Sequence, residues 1–175
     1  MDWQYDVFEL IDMRSFSNLW FWIALAVMWS STSHWVLGVP WDMVTRARRG
    51  HDSQSIVDLE AMVRINTTRI SYIASESGLL MAAFGGFVLT SLMLMGFVYG
   101  NEFSQAIFLL LFPMTLVGLL SVATSRSIMR GQLRGEDLFR QMQRHRLITQ
   151  IVGMVSVFVT AMWGMLQNLT YGALD

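Results

Sequence analysis

The chain of 175 residues contains no cysteine, which excludes disulfides, thiol nucleophiles and cysteine-held zinc or iron–sulfur centres. It contains no lysine either, so all 12 basic residues are arginine. Schiff-base chemistry and the lysine of a phosphate-binding loop are thereby excluded. Charged residues make up only 14 % of the chain, against about 25 % in soluble domains. No HExxH, GxSxG, glycine-rich phosphate loop or paired carboxylate occurs, and the expectation is a protein that is not an enzyme. A net charge of −1 gives no attraction to polyanions, so nucleic acid is not an expected partner.

What is present is apolar: 54 % of residues are hydrophobic and the mean hydropathy is +0.45. A soluble chain of this length cannot bury that much apolar surface. Four stretches approach the ~20 apolar residues that a bilayer core requires. They are Asn18–Val39, Gly78–Gly100, Phe103–Thr124 and Leu147–Leu169. The second and third are joined by Asn101 and Glu102 alone, as a tight hairpin. The expected fold class is all-α: a polytopic membrane protein with four transmembrane helices, forming a single membrane domain over residues 1–175.

Arginine placement predicts orientation. Arg46, Arg48, Arg49, Arg64 and Arg69 fall in segment 40–77, and Arg126, Arg130, Arg134, Arg140, Arg144 and Arg146 in segment 125–146. The N-terminal segment carries Asp2, Asp6, Glu9 and Asp12 against Arg14 alone. The positive-inside rule puts both arginine segments in the cytoplasm and both termini outside, N-out and C-out. Trp20, Trp22, Trp35, Trp41, Tyr99, Trp163 and Tyr171 fall near the span ends, where amphipathic rings favour the headgroup level. Within residues 1–17, Trp3, Val7, Phe8, Leu10 and Ile11 alternate with acids at helical spacing, as in a periplasmic interfacial helix.

Segment 53–77 is too polar for lipid yet has a heptad seam: Ile56, Leu59, Val63, Asn66, Ile70 and Ile73. Asp52 or Ser53 is placed to cap its start, and Glu60 to pair with Arg64. Continued into the second span, this helix would run from Ser53 to Gly100; the fourth span extends likewise from Glu136. The seam either packs within the chain, on the short helix after Pro40 and the 136–146 run, or meets another copy or subunit with Asn66 setting register.

Small residues at helical spacing mark packing faces: Ala82 with Gly86, Gly96 with Gly100, and the ladder Ser156, Thr160, Gly164. Pro113 is placed to kink the third span. The only ionisable side chain within a span is His34, in the polar run Ser30, Ser31, Thr32, Ser33, His34. An intramembrane ionisable group is a functional candidate, and a neutral imidazole can ligate haem or chlorophyll magnesium. No metal site is otherwise expected. The six arginines of segment 125–146 make a positive surface suited to anionic lipid or an acidic partner.

The opening Asp2-Trp3-Gln4-Tyr5-Asp6-Val7-Phe8-Glu9-Leu10-Ile11-Asp12, running into Ser15-Phe16-Ser17-Asn18-Leu19-Trp20, resembles that of uncharacterised small inner-membrane proteins of Rhodobacter-type alphaproteobacteria. Some of those carry a label linking them to the Suf iron–sulfur assembly complex. The resemblance implies a bacterial inner membrane; without cysteine, a link to such a complex is as scaffold or neighbour. The resulting expectation is a non-catalytic accessory, assembly or scaffolding subunit of an inner-membrane complex, respiratory or photosynthetic. Its expected partners are membrane lipids and other membrane subunits or a second copy. One alternative is a homo-oligomeric channel with the Ser30–His34 run facing the lumen. Another is a haem- or pigment-binding protein through His34.

Overall fold

A computed structural model describes Phe16 and residues 19–50 and 53–172 of the chain. The expected interfacial helix at Trp3–Ile11, the cap at Asp52, His51 and the Tyr171 side chain lie outside the described residues. Among those described there are six α-helices and one two-residue β-ladder. In chain order they are α1 (Leu19–His34), β1 (Trp35–Val36), β2 (Val39–Pro40), α2 (Trp41–Arg48), α3 (Ser53–Glu76), α4 (Gly78–Met93), α5 (Glu102–Gly131) and α6 (Gly135–Gly172). A π-turn at Leu94–Val98 continues α4. The protein is all-α, and three of its helices are long and apolar enough to cross a membrane: Gly78–Val98, Glu102–Gly131 and Gly135–Leu169.

The first apolar stretch is helical over a shorter range than its hydropathy predicts. α1 stops at His34, after 16 residues, or about 24 Å at 1.5 Å per residue. The five residues expected to complete it turn back instead. Trp35 pairs with Pro40 and Val36 with Val39 in an antiparallel ladder. The two residues between have positive φ, Leu37 at 54° and Gly38 at 74°, the backbone of a tight hairpin whose twist matches its strands. A leucine in this conformation costs about 1–2 kcal/mol. Burial of its side chain, 4 % exposed, offsets that cost, and Asn66 Nδ2 donates to Gly38 O at 3.1 Å.

The arginine-rich half forms a small bundle. Val36, Leu37 and Val39 of the hairpin, Val44 and Ala47 of α2, Leu59 and Val63 of α3, Ile128 of α5, and Leu138, Phe139 and Met142 of α6 share one core. The seam on α3 therefore packs inside the chain: Leu59 and Val63 are buried, and Ile56 and Ile70 lean on the same core. Each such buried side chain is worth roughly 1.5–3 kcal/mol. Ile73, at the far end, is exposed. Asn66 holds the hairpin rather than a second seam. Glu60, expected to pair with Arg64, accepts instead from the Gly135 N–H at 2.9 Å, a carboxylate at the positive end of α6. The Asp42–Arg46 pair is present at 3.7 Å. Gln132 in the left-handed region (φ 45°) closes α5, with Leu133 N–H donating to Ile128 O at 3.2 Å.

The apolar half is built on α5 and α6 with α1 against them. Leu25, Trp29 and Val117 form one cluster; Phe16, Phe21 and Ala106 form another. The inward stripe of α6 contains Gly153, Ser156, Thr160 and Gly164, all buried, so this ladder packs within the chain. A Cβ at Gly153 would lie 2.7 Å from Trp29 Cε3, and one at Gly164 3.3 Å from the Phe16 ring. α5 runs unbroken through Pro113.

The Ser53–Gly100 helix is interrupted. At Ser77 the backbone leaves the helical region (φ −116°, ψ 3°), separating α3 from α4. The Gly96–Gly100 pair divides as well. Gly96 meets the start of α5, where an added Cβ would lie 2.9 Å from Gln105 N, whereas Gly100 has φ +71° and open space around it. Gly100 thus makes the hairpin turn and is not a packing residue. Buried Gln105 ties this end together: its Nε2 donates to Gly96 O at 2.8 Å, and its Oε1 accepts from Trp163 Nε1 at 2.9 Å and Gln167 Nε2 at 3.0 Å.

Gly153→Val is expected to lower the stability of the α1–α6 contact by about 1–3 kcal/mol, because the new methyls collide with Trp29. In a Trp29→Ala background the same change should cost markedly less. Thermal unfolding followed by circular dichroism measures both, and equal costs would refute the contact.

Candidate functional site

Among the described residues the buried polar side chains are hydroxyls, the Gln105 amide and one imidazole. No cluster of three or more His, Cys, Asp or Glu side chains able to hold a metal is found among them. The polar residues converge where α1 ends and the apolar stretch of α6 begins. Ser31 and Thr32 of α1, Ser121 of α5, and His145 and Thr149 of α6 line a wide-open cavity of about 370 Å³. Trp35, Leu37 and Gly38 of the hairpin, Ile70 of α3 and Val117 of α5 complete its wall. The lining runs from exposed Ser31 and Trp35 to His145, 4 % exposed, and Thr149, 2 % exposed.

His145 is the imidazole that the fold buries, although it lies outside the apolar runs of the sequence. Its Nδ1 is 3.0 Å from Thr124 Oγ1. That is the one hydrogen bond of the Thr124 hydroxyl among the described residues, so the proton is best used if the hydroxyl donates to Nδ1. Were Nδ1–H the donor, a buried hydroxyl proton would be left without an acceptor. The tautomer so assigned carries its hydrogen on Nε2. Around it the hydroxyls differ in what they have left to offer. Thr32 donates to Met28 O at 2.7 Å and Ser121 to Val117 O at 2.8 Å, which leaves their oxygens as acceptors. Thr149 Oγ1 is sealed and has no partner among the described residues, as is true of the Ser125, Ser156 and Thr160 hydroxyls.

The predicted polar run on α1 is divided by this geometry. Ser31 and Thr32 face a cavity within a single chain. Ser30 and His34 are exposed, the latter edge-on to Trp35 with centroids 6.0 Å apart. Ser33 contributes its carbonyl, which accepts from Arg146 Nε at 3.3 Å. Sequence reasoning singled out His34 for its place in an apolar run and passed over His145. The signal that finds His145 is its register: Met142, His145 and Thr149 share one helical face with Gly153 and Ser156.

The arginines are mostly solvated. Arg126, Arg130, Arg134, Arg140 and Arg144 are exposed, and Arg140 pairs with Glu136 and Asp137 at 3.8 and 4.0 Å. Arg146 is the exception. Half-buried, it lies over the Trp41 ring at 4.3 Å while holding Ser33 O, a cation–π contact with a backbone anchor. A second, open groove between α3 and the α5–α6 turn includes Glu60, Arg64 and Arg134, but its carboxylate is already engaged by Gly135.

The other unusual surface is α4. None of its residues is buried, and Leu79, Phe84 and Phe87 are 88, 70 and 71 % exposed. Gly85, Val88, Leu89 and Leu92 are half-buried on one face, with α5 as the main neighbour. Ala82 and Gly86 lie on an adjacent, exposed face, and a Cβ at Gly86 would meet nothing within 4 Å. No protein-family model, curated protein or solved structure matches the chain.

Thr124→Val removes the partner of His145 Nδ1 and is expected to cost about 1–3 kcal/mol. Thr124→Ser, which keeps the hydroxyl, should recover most of that loss. Chemical or thermal unfolding of the two variants in one detergent decides the matter; equal stabilities would show that the bond contributes nothing.

Proposed function

We propose that this protein is a non-catalytic subunit of a bacterial inner-membrane complex, crossing the membrane four times and joining a partner helix through α4. The observation that carries the proposal is the exposure of α4. An apolar helix with no buried residue must be covered by lipid or by protein, and Ala82 and Gly86 offer lipid little contact while permitting close approach of another backbone.

A fourth crossing is supported by the level at which α1 lies. Phe16 packs at Gly164, Trp29 at Gly153, and Ser33 meets Arg146. Phe16 and α1 thus meet α6 at levels that span roughly 27 Å at 1.5 Å per residue, close to a hydrocarbon core. The Phe16 N–H also donates to the Glu102 carboxylate at 2.7 Å, which sets the start of α1 beside the α4–α5 hairpin. The bundle at the opposite end holds α2, α3 and eleven of the twelve arginines lie in its segments, which supports a cytoplasmic bundle with both termini outside.

Orientation is tested with the natural absence of cysteine. Single substitutions Arg126→Cys and Tyr99→Cys, both at exposed positions, are labelled in intact cells with an impermeant maleimide. Tyr99→Cys should react from outside and Arg126→Cys only after lysis; the reverse pattern would invert the topology.

Assembly is tested by extraction from native membranes in mild detergent. The protein is expected to migrate with a distinct membrane partner at a mass well above 20.0 kDa plus its micelle. Ala82→Leu with Gly86→Leu should release it without changing its thermal stability. A partner-free monomer, indifferent to both substitutions, would refute the proposal.

A further inference from the structure

One side of the α5–α6 pair has an open apolar groove, and its two walls lead to three arginines. We infer that the groove seats an acyl chain of an anionic phospholipid whose headgroup phosphate is held by Arg126 and Arg130 of α5 and Arg144 of α6. The inference is independent of the α4 contact, because no α4 residue lines the groove. It rests only on α5 and α6 crossing the membrane, for which both are long and apolar enough.

The groove follows from which side chains are buried. Pro113 of α5 and Ser156 and Thr160 of α6 are buried and form its floor. Phe112 and Leu116 of α5, and Ile151 and Val155 of α6, stand exposed as its walls. Its volume is about 280 Å³, just under the ~300–1,000 Å³ of pockets that enclose a small molecule. That size suits a length of one chain rather than a whole ligand. The Ser156 and Thr160 hydroxyls are sealed within the floor, so the groove offers a ligand hydrocarbon and no hydrogen bond from them.

Helical spacing leads from the walls to the arginines. Residues seven apart share one side of a helix. Phe112, Leu119 and Arg126 are so spaced, as are Leu116, Ala123 and Arg130, and on α6 Ile151 and Arg144; each is exposed. The Thr124–His145 bond sets Arg126 and Arg144 near one level, beside the apolar runs that end at Thr124 and begin at Leu147. From there to Ile151 or Leu116 is about 10–15 Å at 1.5 Å per residue. One leaflet of hydrocarbon is roughly 15 Å deep, half the bilayer core. A chain anchored by its phosphate at the arginines therefore reaches the groove.

Charge selects the headgroup. None of the three arginines has an ion pair among the described residues, whereas Arg140 is taken by Glu136 and Asp137. Guanidinium groups donate paired N–H bonds to phosphate oxygens, and basic clusters between membrane helices bind anionic headgroups. A zwitterionic lipid would bring a cation among the arginines. An acidic protein segment would pair with them but leave the groove unfilled.

The full chain, delipidated in detergent micelles, is titrated with dioleoyl phosphatidylglycerol, dioleoyl phosphatidylcholine or glycerol 3-phosphate, and bound molecules are counted by native mass spectrometry. Phosphatidylglycerol should saturate at one per chain, phosphatidylcholine should bind at least about tenfold more weakly, and glycerol 3-phosphate should not be retained. Arg126→Gln with Arg144→Gln should weaken phosphatidylglycerol about 25-fold, at about fivefold per arginine. Arg69→Gln removes one exposed charge from α3 and should leave binding unchanged. Val155→Trp fills the groove from an exposed position and should weaken binding severalfold with all arginines present. Equal retention of the two lipids, retention of glycerol 3-phosphate, a loss in Arg69→Gln as large as one arginine's share, or no effect of Val155→Trp would each overturn the inference. So would arginine variants that keep the lipid but shed a protein partner from native membranes, which would assign the arginines to an acidic segment.

Discussion

Along the inward face of α6, from Met142 through His145, Thr149, Gly153, Ser156 and Thr160 to Gly164, every side chain is buried and nearly all are small or polar. Between helices in lipid there is little hydrophobic drive, so close backbone approach and van der Waals contact must hold them. This face supplies both. Gly153 admits the Trp29 indole, and Gly164 admits the Phe16 ring. The wide end of the stripe, Met142, enters the extramembrane core. Between the two lies the polar section that makes one wall of the cavity. A larger residue at Gly153 would push Trp29, and α1 with it, away from α6.

The arginine-rich bundle fixes the other wall. α3 brings Leu59 and Val63 into its core, but its rotation is set by two polar side chains. Glu60 holds the first residue of α6, and Asn66 holds the hairpin carbonyl at Gly38. Six residues apart, these positions are separated by about 120° around the helix, so rotation about its axis breaks both bonds. The apolar seam gives binding energy, and the polar pair gives register. The hairpin thus secured carries Trp35, Leu37 and Gly38 to the cavity.

Much of this was legible in the sequence because it rests on period and composition. The apolar runs that become α4, α5 and α6 are long enough to identify by hydropathy alone, and the alternation of three and four from Ile56 to Ile70 marks the buried side of α3. The hairpin was not legible. Trp35-Val36-Leu37-Gly38-Val39 is as apolar as the run before it, and the positive φ at Leu37 is offset by tertiary contacts, burial of its side chain and the Asn66 bond to Gly38. Gly96 and Gly100 share a motif but serve different ends, because one meets Gln105 and the other turns the chain. The two histidines show the same limit. His34 lies in an apolar run yet is exposed, whereas His145 lies among arginines yet is buried, since its exposure depends on which side of α6 meets α5.

α1 is the first described helix and α6 the last, and they are packed on each other. Synthesis therefore separates the two partners by almost the whole chain. Until α6 is made, Phe21, Leu25 and Trp29 can meet only Ala106 and Val117 of α5, and Trp29 lacks the Gly153 surface that receives its indole. α4 and α5, joined by a short turn and tied through Gln105, can pair as soon as they are made. Closure of the bundle is thus a long-range event that waits for α6, and a chain stopped before α6 would leave the α1 contact with Gly153 unmade.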